Sequence, residues 1–247
     1  WQFNGDVFED VSTAYGLDQS MESMGLGITD ANGDLLPDLL ISGWGELAYM
    51  VSDASGGAYI SSAVAEGFEP ADPESQWVGW AVEYADLDNS GREEALVAFG
   101  HWELFDADDS PESPNPLEQA DALFVYEASG VRDQAVAWNF ADLSAGRGMA
   151  VADLNRDGHP DIVRRPVFSV ATIDSPQCTD AAWVSVALRQ AGDNPYAIGA
   201  RVMVETEGVS QVRWVRSGGT GLSSGGPPEV HVGLGAATGI DRVTIQW

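Results

Sequence analysis

The chain has 247 residues, of which 44% are hydrophobic and 9 are tryptophan, and this composition excludes a largely disordered polypeptide. Its 39 acidic and 11 basic residues give a formal net charge of −28, and every basic residue is an arginine. Such an excess of negative charge disfavours nucleic acids and anionic membrane surfaces, and it favours multivalent cations or basic partners.

Short apolar runs separated by turn residues dominate the first two thirds of the chain. The Asn4-Gly5 pair, set between apolar and aromatic residues, predicts a β-hairpin at the N-terminal end. No stretch has a convincing helical pattern, so we expect an all-β fold. Strands are predicted at 24–29, 39–42, 46–51, 58–63, 78–84, 95–99, 123–127, 148–152 and 162–163.

Three acidic turns interrupt this strand pattern, at 30–38 (the first loop), 86–94 (the second loop) and 153–161 (the third loop). Calcium takes six to eight oxygen ligands, and a tight loop can supply several of them from alternate side chains and one backbone carbonyl. We therefore predict two to three calcium ions, held by the side chains at loop positions 1, 3, 5 and 9 and by the carbonyl at position 7. These residues are Asp30, Asn32, Asp34, Leu36 and Asp38; Asp86, Asp88, Ser90, Arg92 and Glu94; and Asp153, Asn155, Asp157, His159 and Asp161.

Two alternative interpretations of the acidic turns are weaker. An EF-hand needs a glutamate at position 12 and flanking helices, whereas position 12 is Ile41, Val97 or Arg164 and the flanks are strands. A plain polar turn is the other alternative, because Asp, Asn and Gly all favour turns. Three copies in one frame favour a metal-binding repeat. The second copy has the weakest donor set, since Ser90 replaces a carboxylate and Glu94 is longer than the equivalent aspartates.

The spacing of the loops indicates a repeat. Asp86 follows Asp30 by 56 residues, and Asp153 follows Asp86 by 67. Units of about 40 to 60 residues with four strands are typical of propeller blades. The longer second interval contains the acidic, proline-rich segment 106–121, which we interpret as a surface insertion.

The pattern changes near residue 183. Segments 184–188, 201–205, 212–216, 230–234 and 243–247 alternate with period two and predict a small antiparallel sandwich or barrel. We therefore divide the chain into repeats (1–167), a linker (168–182) and a C-terminal β domain (183–247). The linker holds the single cysteine, Cys178, which is either a free thiol or a tether to another chain.

The sequence offers no positive support for catalysis. The three histidines, His101, His159 and His231, are dispersed, and we expect their rings to be structural. No nucleophile elbow, zinc-binding histidine pair or phosphate-binding glycine loop occurs. No run of about 18 apolar residues predicts a membrane span either.

Two family resemblances cover nearly the whole chain. The acidic loops resemble the calcium loops of FG-GAP/VCBS-type, integrin-like propeller repeats. The segments FEDV (8–11) and YGL (15–17) resemble the sequence motif at the start of each such repeat. The C-terminal part resembles the ASPIC/UnbV domain through several short motifs in one order. These are WVSVAL (183–188), IGARV (198–202), QVR (211–213), RSGG (216–219), HVGLG (231–235) and DRV (241–243).

The resemblance implies a secreted or periplasmic, calcium-stabilised partial β-propeller of about three blades, followed by a small β domain without an established catalytic site. Relatives close a ring of about seven blades. We therefore expect the missing blades to come from an N-terminal part of the same precursor or from a partner protein. The expected function is that of an extracellular calcium-binding structural or adhesion module in a larger assembly. The alternative is an enzyme, or an accessory subunit of an enzyme or membrane complex, built on the propeller.

Overall fold

A computed structural model describes residues 1–53, 55–69, 77–101, 119–127, 130–176, 179–219 and 224–247. Strands joined by turns make up this part of the chain, and its helical content is one turn, α1 (Ala63–Glu66). No helix within these ranges is long and apolar enough to cross a bilayer. Cys178 and most of the expected insertion at 106–121 lie outside the described residues.

The N-terminal part contains thirteen described strands, which confirm the predicted strand positions to within a few residues. They are β1 (Gln2–Phe3), β2 (Phe8–Glu9), β3 (Ser23–Thr29), β4 (Asp38–Gly43), β5 (Leu47–Ser52), β6 (Tyr59–Ser61), β7 (Gly79–Ala85), β8 (Glu94–Phe99), β9 (Ala122–Glu127), β10 (Gly130–Asp133), β11 (Ala145–Ala152), β12 (Asp161–Val167) and β13 (Thr172–Asp174). The predicted N-terminal hairpin is the antiparallel pair β1 and β2.

The C-terminal region, which we define as residues 183–247, is also built from strands. They are β14 (Ala182–Val186), β15 (Arg201–Thr206), β16 (Val209–Trp214), β17 (Ser224–Gly225), β18 (Val230–Gly235) and β19 (Arg242–Gln246). β14 pairs with β18, and β15 lies between β16 and β19, so two small antiparallel sheets form and neither is a closed barrel. They enclose a core of buried aliphatic residues that includes Val202, Val204 and Val232.

Three four-stranded sheets follow one another along the N-terminal part. Sheet I has the order β3-β4-β5-β6, and sheet II has the order β7-β8-β9-β10. Sheet III contains β11, β12 and β13, and its fourth strand is β17, which pairs in parallel with β11. The first two strands of each sheet are antiparallel, and the acidic turn between them is short enough to join antiparallel neighbours.

The first strands of the three sheets pack side by side, with β7 between β3 and β11. Sheet II is therefore covered on both faces. Val97 and Phe124 belong to the core shared with sheet I, whereas Leu96 and Leu123 belong to the core shared with sheet III. Burial of both faces explains why β8 is a continuous apolar run after its first residue rather than an alternating one.

The structure differs from the sequence-based expectations at one strand, and it shows a short strand within the interval that we assigned as a linker. The expected strand at 58–63 ends at Ser61 and is followed by α1, because Phe68 turns back into the core, where its ring lies 4.6 Å from that of Tyr49. The interval 168–182, expected to be a linker, contains β13, which pairs with β12. Its residues alternate too briefly for the period-two pattern to be visible in the sequence.

Each acidic loop connects the first two strands of its sheet. In every case the residue before position 1 pairs with the residue at position 9, as Ala85 pairs with Glu94 in the second loop. The three loops therefore occupy equivalent places in their sheets.

Candidate metal centre

The three loops share one backbone conformation. Positions 4 and 6 of every loop lie in the left-handed region, which is costly for residues other than glycine. The repetition of this pair in loops of different sequence shows that they turn in the same way. The residues concerned are Gly33 and Leu35, Asn89 and Gly91, and Arg156 and Gly158.

The loops also share a network of hydrogen bonds from backbone amides to side chains. The amide at position 2 donates to the carboxylate at position 9 at 2.9 to 3.0 Å in all three. The amide at position 6 donates to the carboxylate at position 1 at 2.8 to 3.1 Å. The amide at position 5 donates to the side chain at position 3 at 2.8 to 2.9 Å. These bonds hold the predicted ligand side chains against the turn.

The second loop brings its carboxylates closest together. One oxygen from each of Asp86, Asp88 and Glu94 lies within 4.8 Å of the others, which makes this loop the candidate metal cluster among the described residues. Asp86 and Glu94 are 2% and 3% exposed, and Oδ1 of Asp86 has no hydrogen-bond partner in the described structure. Carboxylates this close repel one another unless a proton or a cation lies between them. By sequence the second loop has the weakest set of metal ligands, yet its carboxylates lie closest together in the structure.

Burial governs the protonation of these acids. It raises the pKa of Asp86 to about 6, against the opposing charge of Arg213, and it raises the pKa of Glu94 to about 9. In the first loop, burial also raises the pKa values of Asp30 and Asp38. Without a cation, the second loop therefore retains protons at neutral pH that exposed carboxyl groups would have lost.

The first and third loops have asparagine at position 3, so a side-chain amide rather than a carboxylate approaches the acid at position 5. Nδ2 of Asn32 donates to Asp34 at 3.1 Å, and Nδ2 of Asn155 donates to Asp157 at 2.9 Å. The structure brings positions 3 and 5 together in both loops, but it does not bring three carboxylates as close as in the second. The amides at position 7, those of Leu36, Arg92 and His159, donate to the side chain at position 5 at 2.8 to 3.4 Å.

Two serines support the ninth residue, and the sequence did not single them out. The amide and Oγ of Ser52 donate to Asp38 at 2.9 and 3.2 Å. Oγ of Ser175 donates to Asp161. Ser52 is the last residue of β5 and Ser175 directly follows β13, so both lie at the end of the third strand of their sheet. Only the pairing of strands places a serine there beside the loop.

The C-terminal region covers the loops. The carbonyl at position 6 accepts a hydrogen bond in every loop. The donors are Arg201 for the first loop, at 2.6 Å, and Arg213 for the second, at 3.2 Å. In the third loop the donor is Asn89 of the second loop, at 2.9 Å. The backbone carbonyl oxygen at position 6 is therefore hydrogen-bonded to a side chain in all three loops.

Asn89 is fully buried at the centre of this contact. Its carbonyl accepts from the amide of Gly235 at 2.8 Å, and its Oδ1 lies 2.6 Å from Nε2 of His231. The amide of Gly233 donates to Oδ2 of Asp86 at 2.9 Å. Burial lowers the pKa of His231 to about 4, so the ring is neutral at pH 7 and can donate from Nε2. The HVGLG motif thus binds the second loop directly.

An ion pair and an aromatic ring complete the contact. Arg213 and Glu93 lie 3.2 Å apart with side chains 8% and 9% exposed. The ring of Trp183 lies so close to Gly158 that a Cβ added at this glycine would be 1.9 Å from it. Trp183 also stacks on His231, with ring centroids 5.6 Å apart.

His159, like His231, makes the contacts expected of a structural residue. His159 is 4% exposed, and its Nε2 accepts from the amide of Thr179 at 3.2 Å. The hydroxyl of Thr179 donates to the carbonyl of Asp88 at 3.0 Å, which links the segment just before the C-terminal region to the second loop.

The fold and the loops define an all-β protein of antiparallel sheets that carries three equivalent acidic turns. Residues 190–247 match the family model described as ASPIC and UnbV, in agreement with the resemblance of the C-terminal part. The matched segment contains Arg201, Arg213 and His231, which contact the loops, whereas β14 and Trp183 precede it. No curated protein matches the chain.

Proposed function

We propose that the protein is an extracellular or periplasmic calcium-binding structural or adhesion module. In this proposal the acidic loops are FG-GAP/VCBS-type calcium loops, and sheets I, II and III are three blades of a partial propeller. The observation that carries it is the second loop, where three carboxylates converge and a buried oxygen of Asp86 has no partner among the described residues. A bound cation satisfies that oxygen and offsets the repulsion.

The donor set favours calcium among the metals. The side chains at positions 1, 3, 5 and 9 and the carbonyl at position 7 offer oxygen only, which suits hard cations rather than zinc or copper. Calcium tolerates irregular geometry and takes many protein oxygens, whereas magnesium retains several waters. Two to three ions would stabilise the turns and, through the position-6 carbonyls of the first and second loops, the contact with the C-terminal region.

The proposal places the module in a larger assembly. Large apolar side chains in and beside sheet III are exposed, with Phe168 and Val170 at 76% and Ile173 at 63%. Grouped exposure of this kind is typical of contact surfaces. Further blades, from the same precursor or from a partner protein, would cover such a surface. Cys178 remains the candidate for an inter-chain link, and the proposal assigns the module no catalytic role.

Calcium removal tests the proposal. Saturation at 100 times the dissociation constant stabilises by about 2.7 kcal/mol per ion, which corresponds to about 5 to 10 °C in a chain of this length. We therefore expect chelation to lower the melting temperature by at least that amount in differential scanning calorimetry, and calcium to restore it. Asp86→Ala should reduce the number of ions bound, whereas Asp6→Ala, in the N-terminal hairpin, should not. An unchanged melt after complete removal of calcium would refute the proposal.

A further inference from the structure

A cavity of about 610 Å³ lies between sheets II and III and the C-terminal region. Its volume is within the roughly 300 to 1,000 Å³ that is usual for small-molecule sites. β7, β11 and parts of the second and third loops form one wall, and β14, β16 and β18 form the other. Apolar side chains supply much of its lining, among them Ile28, Val151, Trp214 and Val230.

Glu83 of β7 is the unexplained group in this cavity. Its side chain is 5% exposed and lines the cavity, yet Oε1 has no hydrogen-bond partner among the described residues. Burial raises the pKa of Glu83 to about 7, although the charge of Arg216 and hydrogen bonds from Ser224 and Gly225 to the carboxylate oppose the shift. A buried carboxylate oxygen without a partner costs free energy of folding. Glu83 lies on a strand outside the predicted calcium ligands, so calcium in the loops does not account for it.

Charged side chains of both signs line the cavity. Five carboxylates and three guanidinium groups contribute, but Asp86 and Asp153 are predicted calcium ligands, so three carboxylates face three guanidinium groups when calcium is bound, and the Arg213 guanidinium is paired with Glu93. The preference for a cation therefore comes from the free oxygen of Glu83, which can accept a hydrogen bond and attracts positive charge, and not from the net charge of the lining. The charged lining residues are Glu83, Asp86, Glu93, Asp153 and Glu229, and Arg156, Arg213 and Arg216.

The surroundings of Glu83 suit an organic cation better than a metal ion. A hard metal ion needs six or more oxygens, and Glu83 offers one free oxygen beside apolar walls. An alkyl ammonium group needs only a few acceptors, its hydrocarbon stem packs on apolar side chains, and tryptophan rings attract cations. The chain contains no lysine, so none of its own side chains can supply such a group.

We propose that this cavity binds the primary ammonium group of an alkyl amine through Glu83, with the hydrocarbon stem packed against Trp214 and the neighbouring apolar wall. The amine is either a small free molecule or a lysine side chain of another protein. None of the predicted calcium ligands needs to contact it, so failure of the calcium proposal, measured separately by chelation, leaves this one standing.

Isothermal titration calorimetry of the calcium-saturated full chain tests the proposal. The probes are 1,5-diaminopentane and Nα-acetyl-lysine methylamide, with 1-pentanol as the uncharged control, at pH 8.5, where Glu83 is ionised. We expect saturable binding of an amine and none of the alcohol. Preference for the diamine identifies a free amine as the ligand, and comparable binding of the lysine derivative identifies a protein lysine. Absence of binding by both amines, or equal binding of the alcohol, overturns the proposal.

Two substitutions with opposite effects make the test specific. Glu83→Gln keeps the shape of the side chain and removes its charge, so we expect a loss of affinity of about tenfold or more. Arg216→Gln removes a nearby like charge, so we expect a gain of about fivefold. The melting temperature of each variant shows whether it is folded. If Glu83→Gln does not fold, Arg216→Gln decides the matter: unchanged or weaker binding contradicts the role of the charge at Glu83.

Discussion

At the scale of single residues, two glycines in the acidic loops share a left-handed backbone conformation but differ in what surrounds them. Gly33 and Gly158 both have positive φ, at 77° and 88°. A Cβ at Gly33 would meet no atom within 4 Å, whereas a Cβ at Gly158 would collide with the ring of Trp183. The same substitution therefore has different consequences in loops of the same conformation.

We predict that Gly33→Ala lowers the free energy of unfolding by about 1 to 2 kcal/mol, the cost of a left-handed backbone. Gly158→Ala should cost clearly more, because Trp183 must also move from its stack on His231. Urea denaturation measures both values. Near-ultraviolet circular dichroism should change for Gly158→Ala and not for Gly33→Ala. Equal costs would show that the contact between Gly158 and Trp183 contributes nothing.

At the scale of elements, each unit of two strands and an acidic loop contains both the sequence pattern that predicted the loop and buried carboxyl groups. The alternating oxygen residues identified the loops correctly as turns between strands. The sequence ranked the second loop lowest by donor type, but its Asp86 and Glu94 are both buried, and the amide of Gly233 from the C-terminal region contacts Asp86. Burial depends on what packs over a loop, and ligand spacing does not contain that information.

The buried acids predict a pH dependence for the calcium-free protein. Glu94, with a pKa of about 9, keeps its proton in the folded state at pH values where the unfolded chain, with a value near 4.5, has lost it. Asp86 behaves similarly up to about pH 6. The folded state thus binds more protons, so stability falls as the pH rises from about 5 to 9. Calorimetry of metal-free protein at several pH values should show a decreasing melting temperature.

Glu94→Gln provides the control for this dependence, because glutamine resembles a protonated glutamate at every pH. The variant should show a flatter fall between pH 6 and 9, although general repulsion among surface acids still contributes in both proteins. Identical slopes for the two proteins would contradict a raised pKa at Glu94. Calcium replaces the bound protons, so its affinity for the second loop should increase over the same pH range.

At the scale of the whole molecule, the C-terminal region and the loops form one contact surface. Motifs that resemble the ASPIC/UnbV domain supply the contacts, through Arg213, His231 and the amides of Gly233 and Gly235. The sequence marked these motifs only as family signatures. Their partners lie more than 100 residues away in the chain, and no local pattern indicates a contact of that range.

Substitution of Arg213 measures how much this contact surface contributes to the free energy of unfolding. Arg213→Ala leaves Glu93 buried without its partner, so we predict a loss of about 3 to 5 kcal/mol. Arg242→Ala is the matched control, because that side chain is 69% exposed and lies 3.8 Å from Glu205, a type of pair worth about 0 to 1 kcal/mol. Hydrogen exchange should show faster exchange at the amides of Gly233 and Gly235 in Arg213→Ala. Similar stability losses in the two variants would argue against the contact.

The sequence by itself determined the β-strands, the three turns and the oxygen residues within them, because alternation, turn propensity and ligand spacing are local properties. Only the tertiary structure decided that β13 and β17 join sheet III and that serines donate hydrogen bonds to the ninth loop residues. It likewise decided that side chains donate hydrogen bonds to the carbonyl at position 6 of each loop. It also decided that Glu83 is buried beside a cavity. These features depend on which distant segments pack together, and burial rather than residue type then sets the charge state of the acids.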